Sequence, residues 1–162
     1  MSYLLTLQLD AASQAHFNDL RPQHFPPDRN CIDAHVTLFH SLPEEPATTE
    51  ALARAAVHPK FQVAVMGLRS LGKGVAYTLE SQQLLALHRR LAVAFAAHLI
   101  PQDRQRFQPH IVVQNKATPG AAKLLLQQLR TSFAPTQIEA TGLSLWLYRN
   151  GPWESAQTFP FS

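Results

Sequence analysis

The spacing of apolar residues predicts a succession of strands and helices along the chain. Apolar residues alternate with polar ones in several short segments, which is typical of half-buried strands, and recur every three or four positions in others, which is typical of one helical face. The predicted strands are 3–9, 34–40, 61–71, 75–79, 108–115, 137–148 and 153–159. The predicted helices are 11–20, 49–57, 82–99 and 120–133, and the proline-rich segment 21–30 is predicted to be a loop.

The two halves of this pattern match. The order strand–helix–strand–helix–strand occurs twice, and residues recur at an offset of 75, the separation of His35 from His110. The same offset aligns further identical residues: Gln62 with Gln137, and Gly67 with Gly142. A chance likeness between apolar strands is the alternative. We expect an α+β fold, a single domain over residues 1–162, in which two duplicated, interleaved α/β lobes with antiparallel sheets line a central groove about a pseudo-twofold axis.

Composition narrows the class of protein. The 162 residues are 46% apolar and suffice for one globular domain. Fourteen Lys and Arg against eleven Asp and Glu give +3, a mildly basic balance that suits a small anionic ligand better than a nucleic-acid duplex. The single cysteine, Cys31, excludes an internal disulfide and a cysteine-built zinc site. Because the sequence shows neither a signal peptide nor a membrane span, we expect a cytoplasmic protein without membrane contact.

Eight histidines stand out in a chain with only 15% charged residues, because histidine titrates near neutral pH. Side chains alternate between the two faces of a strand. In the strand near 34–40, alternation divides the side chains into two groups: His35, Thr37 and Phe39 against Val36, Leu38 and His40. In the strand near 108–115, the group that contains His110 also contains Val112 and Gln114. The pseudo-twofold axis would bring His35 and His110 together across the groove.

Two facing imidazoles suit in-line displacement at phosphorus. A neutral histidine takes the proton of the attacking water, and a protonated one gives a proton to the leaving oxygen. The hydroxyl of Thr37, two residues after His35, is placed to bind the phosphate oxygens where charge develops. Such a pair predicts a bell-shaped pH profile between about 5 and 8. For a single strand histidine, a buried structural role is the ordinary alternative.

These residues carry a family resemblance. His35-Val36-Thr37-Leu38 resembles the H-x-T/S-x signature of the 2H phosphoesterases, the superfamily that contains the so-called 2′-5′ RNA ligases, and His110-Ile111-Val112-Val113 resembles its second copy. The resemblance implies a bilobal fold and a site without metal or organic cofactor that acts on 2′,3′-cyclic phosphates or related RNA ends. It implies that His35 and His110 are the acid and base, in an order that stays open, and that Thr37 binds phosphate.

Val112 departs from this signature. It stands where the second motif has Thr or Ser, and it cannot donate a hydrogen bond. Loss of one such donor typically costs about 10²–10³ in rate. Gln114, on the same predicted face, is the leading substitute, and Asn115 and Lys116 are the alternatives. We therefore expect a weakened or re-targeted enzyme.

Other candidate sites are weaker. Among the aromatic residues, Tyr3 and Phe39 lead as platforms for a base, ahead of Trp146, Tyr148 and Trp153, although a core role is the alternative for each. The segment 67–74 resembles a phosphate loop but lacks the final Ser/Thr and the following helix, so a hairpin turn is favoured. No histidine spacing suits a metal, because His35 and His40 are predicted to face opposite ways. A Cys31–His35 nucleophilic pair is a minor alternative.

The sequence thus predicts a phosphoesterase that hydrolyses, or reversibly forms, 2′,3′-cyclic phosphate or 2′-5′ phosphodiester bonds. Its partner would be an RNA 3′ end or a cyclic nucleotide, with no obligate protein partner. The alternative is a weakly active or non-catalytic protein that binds RNA ends or nucleotides, which the valine at position 112 keeps open.

Overall fold

The computed structural model describes residues 2–24, 33–149 and 152–162, and these residues form a mixed α/β fold with seven strands. The strands are β1 (Ser2–Leu9), β2 (Val36–Pro43), β3 (Phe61–Ser70), β4 (Val75–Glu80), β5 (His110–Gln114), β6 (Thr136–Tyr148) and β7 (Glu154–Pro160). The helices are α1 (Ala11–His24), α2 (Pro46–Ala55), α3 (Gln82–Ala94), α4 (Pro101–Arg104) and α5 (Pro119–Ser132), with a 3₁₀ turn at Ala96–His98.

All seven strands belong to one antiparallel sheet: six follow the order β2-β1-β6-β3-β4-β5, and β7 pairs with β6 outside this order. The long strand β6 pairs with three other strands of this sheet. One edge of β6 pairs with β1, and the opposite edge pairs first with β3 and then with β7. The order is therefore symmetric about the β6–β3 junction, with β2-β1-β6 on one side and β5-β4-β3 on the other.

The register of β3 against β6 confirms the pseudo-twofold axis. Val63 pairs with Ile138, its own equivalent at the 75-residue offset. The flanking pairs, Phe61 with Ala140 and Val65 with Thr136, exchange when the same offset is applied. This exchange is what a twofold axis through the Val63–Ile138 pair requires. The expected duplication of lobes is correct.

Matching β-bulges interrupt the two histidine-bearing strands. On β2, Thr37 pairs with Thr6 and Phe39 pairs with Leu5, which leaves Leu38 as an extra residue. On β5, Val112 pairs with Ala76 and Gln114 pairs with Val75, which leaves Val113 extra. Both bulges come directly after the position two residues beyond the histidine. An inserted residue breaks strict alternation, so the side chains that follow exchange faces.

The core lies between the sheet and the helices packed on it, and it includes fully buried residues from most elements: Leu5, Val36, Val63, Leu87, Ile111 and Leu143. The Ser81 hydroxyl caps α3 by accepting a hydrogen bond from the Leu84 amide at 3.1 Å. None of the helices in the described segments is long and apolar enough to cross a membrane.

Some predicted boundaries were wrong. Helix α1 continues through Pro22 to His24, where the loop was expected. Helix α3 ends at Ala94, five residues early, and the chain continues as the 3₁₀ turn. The hairpin at Gly72 is as predicted, with φ of +83° at that glycine. Cys31 and positions 150 and 151, between the last two predicted strands, lie outside the described residues.

Gly74 provides a test of the β4–β5 bulge. A Cβ at this position would overlap the backbone carbonyl of Gln114, which cannot move without disturbing the strand pairing. We expect Gly74→Ala to lower the free energy of unfolding by about 1–3 kcal/mol in urea denaturation. The control is Gly120→Ala at the start of α5, where a Cβ meets nothing within 4 Å. Gly120→Ala should leave the free energy of unfolding unchanged or raise it slightly. Equal changes in this free energy for the two variants would contradict the register of β4 against β5.

Candidate active site

The two histidine-bearing strands meet at a cleft of about 430 Å³. Strands β2 and β5 occupy opposite ends of the sheet order, yet they contact each other because the sheet curls. His35 and Thr37 from one strand line this cleft together with His110 and Val112 from the other. The two histidines and the residues two positions after them therefore line the same cleft.

Both imidazoles are anchored in the same way. Nδ1 of His35 lies 2.9 Å from the carbonyl oxygen of Asp33, and Nδ1 of His110 lies 2.8 Å from that of Gln108. A carbonyl oxygen accepts only, so Nδ1 must carry the proton in each ring. In the neutral ring, Nε2 then carries the lone pair and is the nitrogen that takes up or releases a proton. The carbonyl belongs to the residue two positions earlier in both cases, which follows from the duplication.

The surroundings of His35 favour its neutral form. The pKa of this imidazole is lowered to about 4, chiefly by burial, although the hydrogen bond to the Asp33 carbonyl opposes the shift. The nearby positive charge of Arg21 contributes to the same lowering, as do His110 and His40. Arg21 is buried at the end of α1, and its Nη1 donates to the Val112 carbonyl at 2.8 Å. At neutral pH, His35 is therefore an uncharged base.

Trp153 forms the side of the cleft next to His35. The two ring centroids are 4.7 Å apart, and Trp146 lies behind Trp153 at 6.1 Å. The two aromatic residues favoured from the sequence lie elsewhere. Phe39 is fully buried because the bulge turns it into the core, so its placement on the face of His35 was wrong. Tyr3 packs against the core and does not line the cleft.

A stack of three rings supports the bulge in β2. The ring of His88, on α3, lies between Phe39 and Phe107, with centroid distances of 4.4 and 3.9 Å and nearly parallel planes. Its Nε2 donates to the carbonyl of Leu38, the bulged residue, at 3.1 Å. Burial lowers the pKa of His88, against opposing effects of that hydrogen bond and of Asp103. The neutral ring satisfies a carbonyl that the sheet leaves unpaired.

Asp103 binds a second irregularity of β2, where His40 and Ser41 together lie opposite Leu4. Its carboxylate accepts hydrogen bonds from the backbone amide of His40 at 2.9 Å, from that of Ser41 at 3.1 Å and from Nδ1 of His40 at 2.8 Å. Burial alone would raise the pKa of this carboxyl, but the bonds from His40 and Ser41 outweigh it and lower the pKa below its ordinary value. Asp103 is thus an ionised, almost fully enclosed clamp.

His40 also lines the cleft, contrary to the prediction that it faces away from His35. The bulge at Leu38 changes the alternation and turns His40 toward the cleft. The clamp by Asp103 fixes its ring. The described residues nonetheless contain no group of three or more His, Cys, Asp and Glu side chains arranged to hold a metal ion.

Comparison with known proteins identifies the family of this chain. The model of the 2′-5′ RNA ligase superfamily matches residues 9–152, most of the chain. The chain belongs to this superfamily, the 2H phosphoesterases. Its fold is similar to that of TT0787 from Thermus thermophilus (18% identity, TM-score 0.69, covering 99% of this chain and 98% of the other). It is also similar to that of Escherichia coli LigT in complex with 3′-AMP (17% identity, TM-score 0.60, covering 99% and 98%). No match was found among curated proteins.

In this 2H phosphoesterase, the predicted substitutes for the missing second hydroxyl lie outside the cleft. Gln114 is only 8% exposed because the bulge at Val113 turns it inward, and it does not line the cleft. Lys116 is exposed in the turn after β5, with φ of +55°, and is likewise not part of the lining. The proposal that Gln114 replaces the hydroxyl therefore loses its geometric basis.

Two arginines, Arg69 and Arg106, line the cleft and were not identified from the sequence. Nη1 of Arg69 donates to Oε1 of Gln108 at 3.1 Å. Their sequence positions carry no motif, and only the folded arrangement brings them to the cleft. For His88 a signal did exist, because it falls four residues after Leu84 on the buried face of α3. A polar residue among the apolar residues of a buried helix face needs a hydrogen-bond partner, and its position in the sequence therefore indicates such a contact.

Asp103→Asn tests the clamp. The amide cannot accept from all the donors that the carboxylate satisfies, so we expect a loss of about 1.5–3 kcal/mol in the free energy of unfolding at pH 7. The folded pKa of Asp103 is lowered, so its contribution is complete above the unfolded pKa near 4 and falls as the pH drops through the lower folded value. The difference between wild type and variant should shrink below about pH 4. Glu50→Gln, at an exposed carboxylate on α2, is the control, and a pH-independent loss in Asp103→Asn would contradict the account.

Proposed function

We propose that this protein is a phosphoesterase that hydrolyses 2′,3′-cyclic phosphates on RNA 3′ ends or nucleotides, or reversibly forms 2′-5′ phosphodiester bonds at the same site. The main support is the pair of imidazoles anchored through Nδ1, His35 and His110, which share one cleft with Thr37. The superfamily match supports phosphoester chemistry in general. The reaction we propose needs no organic cofactor.

The lowered pKa of His35 supports an assignment of roles in the direction of hydrolysis. His35 Nε2 takes a proton from water as the water oxygen forms a bond to phosphorus. The bond from phosphorus to the 2′ or 3′ oxygen breaks, and that oxygen receives the proton of Nε2 of protonated His110. Thr37 donates its hydroxyl hydrogen to a phosphate oxygen as charge builds there. One proton enters and one leaves the pair of imidazoles, so the net reaction is addition of water.

Nucleotides are the proposed class of small substrate. The cleft, at about 430 Å³, is within the usual range for ligand sites. Crystal structures of Escherichia coli LigT contain 3′-AMP, NADP⁺ and ATP, and the likeness of fold makes these compounds reasonable probes. Trp153 offers an aromatic face beside His35 on which a base could stack. We place this activity in the cytoplasm.

A second candidate function is binding of RNA ends or nucleotides with little or no turnover. Val112 favours it, because an apolar side chain lines the cleft where the family signature has a hydroxyl. Tight binding of a nucleotide by a protein that does not hydrolyse a 2′,3′-cyclic nucleotide would support this candidate over the phosphoesterase.

His35→Ala and His110→Ala should each lower the turnover of 2′,3′-cyclic AMP by about 10²–10⁴-fold, because each removes one proton-transfer group. In the wild type, kcat/KM should fall on the acid side of its pH profile near pH 4, because protonated His35 can no longer act as a base. This pH is below the range of about 5 to 8 that was expected from the sequence. Product formation is followed by chromatography, with exposed His98→Ala as the control. Full activity in either cleft variant would exclude the mechanism.

Thr37→Val and Val112→Thr form a matched pair of nearly isosteric changes. Thr37→Val removes the hydroxyl of the first motif and should lower kcat by about 10²–10³. Val112→Thr adds a donor at the equivalent position and should raise kcat by at least about tenfold. Both are measured with 2′,3′-cyclic AMP at pH 7. If Val112→Thr leaves kcat unchanged, the valine is not what limits the reaction.

A further inference from the structure

The cleft extends along β2 beyond Thr37 toward His40. Three residues of extended strand span at most about 10 Å, so a group bound at His40 is separate from one bound at Thr37 but within reach of the same ligand. Besides the motif residues, the lining of this cleft contains the polar and basic side chains His40, Gln102, Gln105 and Arg106. The residues proposed for the reaction do not include them.

The His40 ring is held in a defined orientation. Its Nδ1 donates to Oδ1 of Asp103, so the ring must present its other nitrogen, Nε2, away from the carboxylate. The side-chain amide nitrogen of Gln102 lies 3.3 Å from Nε2 and donates to it while the ring is neutral. Because Gln102 is exposed, its amide can turn away when an anion and a proton bind together, and Nε2–H then donates at this end of the cleft. The Asp103 side chain is 1% exposed and occupied by hydrogen bonds, so its oxygens are not presented to a ligand.

Charge differs sharply between the two sides of His35. On the far side, past Trp153, a second cleft of about 570 Å³ is lined by three carboxylates, Asp10, Asp33 and Glu139, against one lysine, Lys60. Of the charged side chains that line the cleft containing His40, the two arginines are basic, and the one carboxylate is the enclosed Asp103. An additional anionic group is therefore favoured on the His40 side and opposed on the other.

We propose that His40, oriented by Asp103, and Arg106 form a second phosphate-binding subsite, which selects ligands that carry another phosphate beside the one held at Thr37 and the catalytic histidines. This inference rests on the proposed function only in placing the first phosphate. The second phosphate is either a terminal monoester of the same nucleotide or the phosphodiester that joins it to the next one. Charge-assisted hydrogen bonds from an imidazolium and a guanidinium would bind either form.

Equilibrium binding tests the subsite without requiring turnover. We would measure the Kd of 3′-AMP and of adenosine 3′,5′-bisphosphate by calorimetry at pH 6.5 for wild type, His40→Asn and Arg106→Gln. Asn at position 40 can keep the hydrogen bond to Asp103 while lacking the outward nitrogen, and Arg106 is exposed, so both variants should fold. Exposed residues outside this cleft provide the matched controls: His98→Asn and Arg104→Gln.

The bisphosphate should bind wild type about tenfold more tightly than 3′-AMP, and each cleft variant should lose most of that preference while the controls retain it. The dinucleotide ApAp distinguishes the two sources, because it supplies an internal phosphodiester instead of a 5′ monoester. Equal affinity of wild type for 3′-AMP, the bisphosphate and ApAp would overturn the subsite, even if cyclic AMP is hydrolysed. A preference that persists in His40→Asn and Arg106→Gln would overturn it as well. Absence of hydrolysis with the preference intact would instead reject only the proposed function.

Discussion

The antiparallel pairing of β3 with β6 is the constraint on which the rest of this structure depends. The pairing is centred on Val63 and Ile138, equivalent residues of the two halves, and so generates the pseudo-twofold axis. The six strands of the order β2-β1-β6-β3-β4-β5 then form three equivalent pairs, out to the terminal strands β2 and β5. The curl of the sheet brings these two ends into contact, and the equivalent histidines His35 and His110 enter the same cleft, which His40 also lines. A single register thus brings the two motif histidines together.

The cleft also depends on the two bulges. Each bulge lets a short motif face the cleft while the residues that follow turn into the core, as Phe39 and Gln114 do. An irregular strand exposes backbone groups that the sheet cannot satisfy, and leaving such a group buried and unpaired costs about 1–3 kcal/mol. On β2, His88 and Asp103 satisfy them, and on β5, Arg21 binds the Val112 carbonyl. The buried polar residues of this protein therefore shape its site from behind.

The predictable part of the fold and the site followed from repeated local patterns. The 75-residue offset identified the symmetric lobes and paired His35 with His110, because the duplicated strands keep their apolar patterns and their motif. Strict alternation failed after Leu38 and Val113, since a bulge depends on which residues the neighbouring strand can pair. It therefore misplaced Phe39, His40 and Gln114. The roles of Asp103 and the cleft arginines depend on contacts across more than 30 positions of sequence, which local pattern does not encode.

Fold, tautomer and charge support one chemical account. The carbonyl anchors leave Nε2 as the exchanging nitrogen of both rings, and burial with Arg21 keeps His35 neutral beside a cleft that carries two arginines. The most direct test is ³¹P NMR of the protein with 2′,3′-cyclic AMP at pH 7, beside the His110→Ala variant. The account predicts that the cyclic phosphate resonance of the wild-type sample is replaced by that of a single phosphomonoester, while the variant sample stays unchanged. A cyclic resonance that persists with the wild type, or disappears equally fast with both proteins, would contradict it.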